Sequence, residues 1–218
     1  MARYYPIMIN IADKKCIIVG GGNVASRKVK SLLEYGAKIT VISNNLCSEL
    51  EKLNNHGRIE WFARNYEAGD LGEASLVFAA TNDSDVNRQV YQEARKKGIP
   101  VNIADMPELC DFIVPSKIEQ GDLTIAISTN GNSPALAKKI RIELEEKYGP
   151  HYVQFLDLMG NIRNSGMQEI ADPEKREALY KELVYSDVLS ILEKGDIAQA
   201  EKEVYNIFEK YKLKDIYE

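Results

Sequence analysis

The glycine run Gly20-Gly21-Gly22 limits what this chain can fold into more than any other stretch. It follows Cys16-Ile17-Ile18-Val19, an apolar run of the length of a buried strand. It precedes residues 24–35, where Val24, Val29, Leu32 and Leu33 recur at helical spacing and Gly36 supplies the stop. Strand, glycine turn and helix in that order form the context in which a Gly-x-Gly-x-x-Ala pattern, here Gly20, Gly22 and Ala25, acts as a dinucleotide fingerprint. Gly20 is expected to make the tight turn. Gly22, with no Cβ, lets a pyrophosphate approach the backbone, and Ala25 lets helix and strand pack closely. The helix start then offers free N–H groups to the phosphates. The same residues also read as a glycine-rich turn with no ligand.

Residues 37–42 (AKITVI) form a second strand by their β-branched content. A dinucleotide fold ordinarily places an acid at the end of that strand to hold the ribose hydroxyls. This chain has Ser43-Asn44-Asn45 there, with no Asp or Glu before Glu49 and no Lys or Arg for a 2′-phosphate. Asn44 and Asn45 can hydrogen-bond ribose, which favours NAD over NADP. Capping of the next helix explains them equally well.

Residues 59–63, 76–80 and 100–104 read as three further strands, and a helix from Asp83 or Ser84 to Lys97 ends at Gly98. Connections of this length allow parallel pairing, and right-handed crossovers give a doubly wound α/β sheet. Ligands of such sheets lie beyond the carboxyl ends of the strands. Thr81 and Asn82 stand at one such end, as cleft residues or as caps. Asp105 stands at another, as a general base or metal-holding carboxylate, or as a turn residue of Ala104-Asp105-Met106-Pro107.

The pattern changes after residue 111. Residues 112–118 and 123–128 flank Glu119-Gln120-Gly121-Asp122, a hairpin signal. Such a hairpin could extend a sheet shared with a second subunit. Ser133 and Pro134 then open a helix at N-cap and N1. The stretch 128–134 joins strand to helix as an anion site would, and Lys117, Lys138, Lys139 and Arg141 stand nearby in sequence, either for an acidic ligand or as a solvated face. No strand is expected after His151. Three parts follow: 1–111, a dinucleotide-binding domain; 112–149, a hairpin and helix; and 150–218, a helical domain.

Composition narrows the function. A net charge of −5 argues against general nucleic-acid binding. Cys16, Cys47 and Cys110 are too far apart for a metal or disulfide motif, which favours a reduced, cytoplasmic setting. His56 and His151 form no zinc-ligand spacing, so no resident metal is expected. No apolar run approaches the ~20 residues of a membrane span.

Five segments in order, GGGNVASRK (20–28), AATND (79–83), VNIAD (101–105), FIVPS (112–116) and ISTNGNSPALA (127–137), resemble precorrin-2 dehydrogenase, the amino-terminal part of siroheme synthase. The resemblance runs from about residue 3 to residue 147 and continues more weakly to the end. It implies a Rossmann-type parallel sheet, a small α+β dimerisation region, a helical carboxyl-terminal domain and a homodimer. It also implies NAD-dependent oxidation of the tetrapyrrole precorrin-2 to sirohydrochlorin, with ferrous iron insertion in some members. On the matching positions it implies Asp105 as the catalytic acid or base. Gly20, Gly22, Asn23, Val24, Asn44, Asn45 and Thr81 fall at the cofactor, and Ser128, Thr129, Lys117, Lys138 and Arg141 become partners for a substrate rich in carboxylates. Thr129 stands where bifunctional relatives often carry serine. A different class of reading is a non-enzymatic NAD sensor, which would need neither Asp105 nor the 128–134 stretch.

Overall fold

Alternate residues of the first strand face opposite cores, and that alternation builds the sheet. In β1 (Lys15–Val19), Cys16 and Ile18 enter one apolar cluster while Ile17 and Val19 enter another, all four buried. β2 (Lys38–Ile42) and β4 (Leu76–Ala79) repeat the pattern in register, with β3 (Glu60–Phe62) and β5 (Val101–Ile103) at the edges. Burial on both faces is the reason β1, β2 and β4 are near-continuous apolar runs, while edge strand β3 is exposed at Glu60 and Phe62. Each fully buried Ile or Val contributes about 1.5–3 kcal/mol.

The computed structural model describes residues 4–216. The first three positions of the expected 1–111 domain and the last two of 150–218 lie outside the described residues, as does the start of the resemblance at residue 3. The five strands pair in parallel in the order β3-β2-β1-β4-β5. The order reverses between β1 and β4, which opens a crevice at their carboxyl ends. Helices α1 (Asn23–Glu34) and α2 (Ser48–Asn55) cover one face through Ala25, Val29, Leu32 and Leu50. Helix α3 (Ser84–Lys97) covers the other through Val90 and Ala94. The apolar face of α1 includes Ala25 but not Val24, which is exposed.

The irregular segment between β3 and β4 is held by side chains. Glu93 of α3 accepts from the Tyr66 hydroxyl, from Gly69 N–H at 2.8 Å and from Leu71 N–H at 3.3 Å, and pairs with Lys97 at 3.1 Å. Its neighbour Arg64 makes a two-pronged pair with Asp70, both contacts at 2.7 Å.

The chain divides into two units, Met1–Val114 and Pro115–Glu218. The second opens with the antiparallel pair β6 (Ser116–Gln120) and β7 (Leu123–Ile127), joined by Gly121-Asp122 with Gly121 at φ 57°. The hairpin therefore starts at residue 116 rather than 112. Phe112 instead packs edge-on against Phe78, ring centroids 5.3 Å apart, and its carbonyl accepts from Asn102 Nδ2 at 2.9 Å. Helix α4 (Pro134–Lys147) begins as the sequence predicts: Ser133 Oγ accepts from Leu136 N–H at 3.2 Å.

Four helices follow, α5 (His151–Glu169), α6 (Pro173–Tyr185), α7 (Val188–Glu193) and α8 (Ile197–Ile216). They share a core of Phe155, Leu179, Leu183, Val188, Leu192, Val204 and Phe208. Asp172 caps α6 by accepting from Glu174 N–H at 2.8 Å. Helix α7 has no counterpart in the sequence reading. Among the described residues no helix is long and apolar enough to cross a membrane.

Candidate functional site

The carboxyl ends of four strands are tied side by side by backbone bonds. Gly20 N–H donates to Ile42 O at 2.9 Å, Ala80 N–H to Val19 O at 2.8 Å and Ala104 N–H to Ala79 O at 2.8 Å. Gly20–Val24, Asn44 and Asn45, Thr81, and Asp105 thereby share one edge of the first unit.

The three glycines do different work. Gly20 has φ 119°, and a Cβ there would lie 2.4 Å from Ala80 O, so the turn needs glycine on both counts. A Cβ on Gly21 would lie 1.9 Å from Asn45 O and 2.8 Å from Ser43 Oγ. The motif spacing did not mark Gly21, because the obstruction comes from a loop more than twenty residues away. A Cβ on Gly22 would meet nothing within 4 Å. Gly22 is also the N-cap of α1, with no side-chain cap and no acid in the first turn. This open, uncapped helix start fits a pyrophosphate, whose oxygens would take the place of the missing cap.

The loop after β2 is locked to its neighbours. Trp61 Nε1 donates to Ser43 O at 2.8 Å, Ser43 Oγ donates to Asn45 O at 2.8 Å, and Cys47 N–H donates to Gly21 O at 2.7 Å. Residue 47, not 44 or 45, is the N-cap of α2. Capping therefore does not account for the two asparagines. Both are exposed, and Asn44 Nδ2 donates to Asn65 Oδ1 at 2.5 Å.

Thr81 closes a small polar knot. Its Oγ1 lies 2.9 Å from both Asp83 O and Asn87 Oδ1 and accepts from Asp83 N–H at 3.1 Å, while Asn87 Nδ2 donates to Thr81 O at 3.1 Å. Asn87 is almost fully buried. Asp83, rather than Ser84, caps α3, accepting from Asp85 and Val86 N–H. Thr81 is thus fixed in place with its flank half exposed.

Asp105 is exposed and sits at φ 61°, a left-handed conformation uncommon outside glycine. Asp tolerates it better than most residues, and such strain clusters at functional sites. The turn is held from below by Cys110 Sγ, which lies 3.2 Å from Ile103 N, 3.3 Å from Ile103 O and 3.4 Å from Met106 O. Burial pushes the Cys110 thiol up, so it acts as a strut rather than a nucleophile.

Lys28, inside α1, belongs to the 20–28 segment but was not singled out there. Its Nζ stands 5.6 Å from the Phe78 ring centroid, and burial, then the charge of Arg27, lowers its pKa. Two surface hollows in this unit, of about 650 and 400 Å³, lie elsewhere. One is lined by Ser75 and Pro100 at the amino ends of β4 and β5, the other by Tyr66, Gln92 and Lys96.

The remaining candidates belong to the second unit. Ser128 Oγ accepts from Asn130 N–H at 3.0 Å and Thr129 Oγ1 from Ser133 N–H at 3.1 Å, in a turn with Asn130 at φ 51° and Gly131 at φ 83°. Lys117 pairs with Glu119 at 2.5 Å, Lys139 with Glu143 at 3.6 Å, and Arg141 with Glu145 one helical turn on. Lys138 is exposed on α4. Among the described residues no group of three or more His, Cys, Asp or Glu is arranged to hold a metal ion.

Comparison with known proteins identifies what the chain is similar to. A family model for NAD(P)-binding domains matches residues 7–116, and a model described as sirohaem biosynthesis protein central matches residues 120–147. The chain is similar to siroheme synthases. It is 33% identical over 202 residues to that of Ruthia magnifica, covering 93% of this chain and 43% of the relative. It is 37% identical over 192 residues to that of Thioalkalivibrio sulfidiphilus, covering 88% and 39%. The chain spans between 38% and 44% of the length of these relatives. A solved structure, SirC, precorrin-2 dehydrogenase, superposes with a TM-score of 0.76 at 25% identity, over 93% of this chain and 100% of that one.

Proposed function

This chain belongs to the family of precorrin-2 dehydrogenases and siroheme synthase amino-terminal parts, and from that we propose that it oxidises precorrin-2 to sirohydrochlorin with NAD. The observation that carries the reading is the uncapped start of α1 behind an open Gly22, on the same sheet edge as the strained Asp105.

The overall change removes two hydrogens from the macrocycle, one as hydride and one as a proton, with a new carbon–carbon double bond left behind. When bound, the nicotinamide ring takes the hydride. The residues of this chain do the rest. Gly22, Asn23 and Val24 present backbone N–H groups and space to the pyrophosphate, and Gly20, whose own N–H is taken by Ile42 O, makes the turn that aims them. Asn44 and Asn45 hydrogen-bond the ribose in place of the usual acid, which favours NAD over NADP. Thr81 lines the cofactor cleft. Asp105 accepts the proton, its exposed carboxylate being held ready by the turn that Cys110 supports. Ser128, Thr129, Lys117, Lys138 and Arg141 are assigned to the carboxylates of the tetrapyrrole, by the resemblance and by charge.

The region 112–149 is assigned as the dimerisation element and 150–218 as a separate helical domain. A two-stranded pair is marginal by itself. In β6, β7 and α4 only Ile118 and Ala137 are buried apolar residues, while Leu136 and Ile142 remain 47% and 42% exposed. That supports a homodimer. The free thiols Cys16, Cys47 and Cys110 accord with a cytoplasmic setting.

Mixing the protein with precorrin-2 and NAD and following the absorbance spectrum tests the activity. The expected result is the appearance of sirohydrochlorin together with NADH. No spectral change would sink the proposal. Adding ferrous iron to the same mixture tests the second reaction known for some family members.

A further inference from the structure

The loop after β2 lacks the acid that normally turns a dinucleotide site away from NADP, and the structure holds an acid of that effect elsewhere. Asn44 stands where the ribose hydroxyls are read. Its amide donates to Asn65 Oδ1 at 2.5 Å, and the Asn65 carbonyl accepts from Arg64 Nη1 at 3.0 Å. Both bonds end on Asn65, one on its side-chain oxygen and one on its main-chain oxygen, so a guanidinium neighbours the residue that holds Asn44. Arg64 is the kind of group that binds such a phosphate, a planar fork with five donors.

That fork is already filled. Arg64 Nη1 and Nη2 each lie 2.7 Å from the two carboxylate oxygens of Asp70. Asp70 is itself fixed, since its Oδ2 accepts from Glu67 N–H at 2.7 Å and its side chain is only 11% exposed. Arg64 also leans on the Phe62 ring, 5.5 Å from its centroid.

We infer that Asp70 is a specificity-determining, positioning residue: by occupying Arg64 it keeps a phosphate-binding cation away from the ribose end and so selects NAD. The acid missing after β2 is replaced by one after β3 that acts through its arginine. Charge balance agrees with this. The hydrogen bonds from Arg64 hold the Asp70 carboxyl below the usual carboxylate range, so the pair is fully ionised at neutral pH. The inference rests on the dinucleotide reading of the glycine turn.

Fluorescence titration of NADH and NADPH into wild-type protein, Asp70→Asn, Arg64→Met and the double variant tests it, with a thermal melt of each. Asp70→Asn is expected to tighten NADPH about tenfold and to leave NADH within about twofold, and the gain is expected to vanish in the double variant. An unchanged NADPH-to-NADH ratio in Asp70→Asn overturns the inference, and so does a gain that survives without Arg64. Should Asp70→Asn unfold, Arg64→Met decides. Both affinities must then stay within about twofold, because a cation already engaged contributes nothing, and a large loss of NADPH affinity overturns the inference. Wild-type protein that binds NADPH better than NADH removes the role of Asp70 alone. Wild-type protein that binds neither cofactor sinks the dinucleotide reading as well.

Discussion

The backbone N–H of Cys47 donates to the carbonyl of Gly21 at 2.7 Å, fastening the start of α2 to the glycine turn that starts α1. The two loops pack so closely here that no side chain at residue 21 fits between the turn and Asn45. The turn proposed to hold phosphate and the loop proposed to hold ribose are therefore packed directly against one another.

Gly21 and Gly22 should therefore fail differently. Gly21→Ala places a methyl 1.9 Å from a backbone oxygen that cannot swing aside, and about 3 kcal/mol or more of stability should be lost. Gly22→Ala meets open space at an ordinary φ of −87° and should melt within about 1 kcal/mol of wild type. Its NAD affinity should nevertheless fall at least about tenfold, since the methyl occupies the proposed pyrophosphate space. Equal melting of the two variants would contradict this division.

Asp105→Asn keeps the shape and the tolerance for a left-handed backbone, so its melting temperature and NAD affinity should match wild type. Its rate of precorrin-2 oxidation should drop about 10²–10⁴-fold. Asp105→Ala should in addition lose about 1–2 kcal/mol, the penalty for an ordinary residue at φ 61°. A wild-type rate for the asparagine variant would end the assignment of Asp105 as base.

The Glu93–Tyr66 pair makes stability depend on pH at both ends. Burial works against the Glu93 carboxylate. The Tyr66 hydroxyl, Gly69 N–H and Lys97 outweigh it and hold the carboxyl below its ordinary 4.5. A depressed carboxyl stabilises the fold above 4.5, and that contribution is lost as pH falls below it. For Tyr66, burial and then Glu93 raise the phenol above its ordinary 10.0. Its contribution is complete below 10.0 and is lost as pH rises beyond. Melting temperatures measured across pH should be highest between these limits. Glu93→Gln should lose about 2 kcal/mol at neutral pH and soften the acid limb, with Asp70 maintaining part of it.

Leu136→Asp together with Ile142→Asp should turn the proposed dimer into a monomer. Both side chains are exposed on α4, where a charge on a true outer surface changes stability by no more than about 0.5 kcal/mol. Light scattering after size exclusion reads the outcome. A wild-type monomer would remove the dimer proposal outright.

The sheet was legible because β1, β2 and β4 are buried on both sides and read as apolar runs, with connections long enough for parallel crossovers. The start of the hairpin was not. Phe112, Ile113 and Val114 look like strand residues, but Phe112 serves as a tether, its ring on Phe78 and its carbonyl on Asn102. Short α7 ends at a left-handed glycine, Gly195 at φ 85°, but its N-cap Asp187 makes no side-chain cap bond to announce its start, and six residues are too few to show a helical period. Within the site, sequence spacing put forward Gly20, Gly22, Thr81 and Asp105 as candidates because each follows a strand, and the fold places them on one sheet edge. It passed over Gly21 and the Arg64–Asp70 pair. The reason Gly21 must be small lies in a different loop, and the pair closes across an irregular segment with no periodicity.

The contrast between the second and third glycines also dates any loss of activity in a lineage. Gly21 answers only to the packing of the protein against itself, whereas Gly22, on the proposed reading, answers to a molecule that comes and goes. A descendant that abandoned the cofactor would keep the former and let the latter drift. A side chain at position 22 beside an intact glycine at 21 would mark a fold that has outlived its reaction.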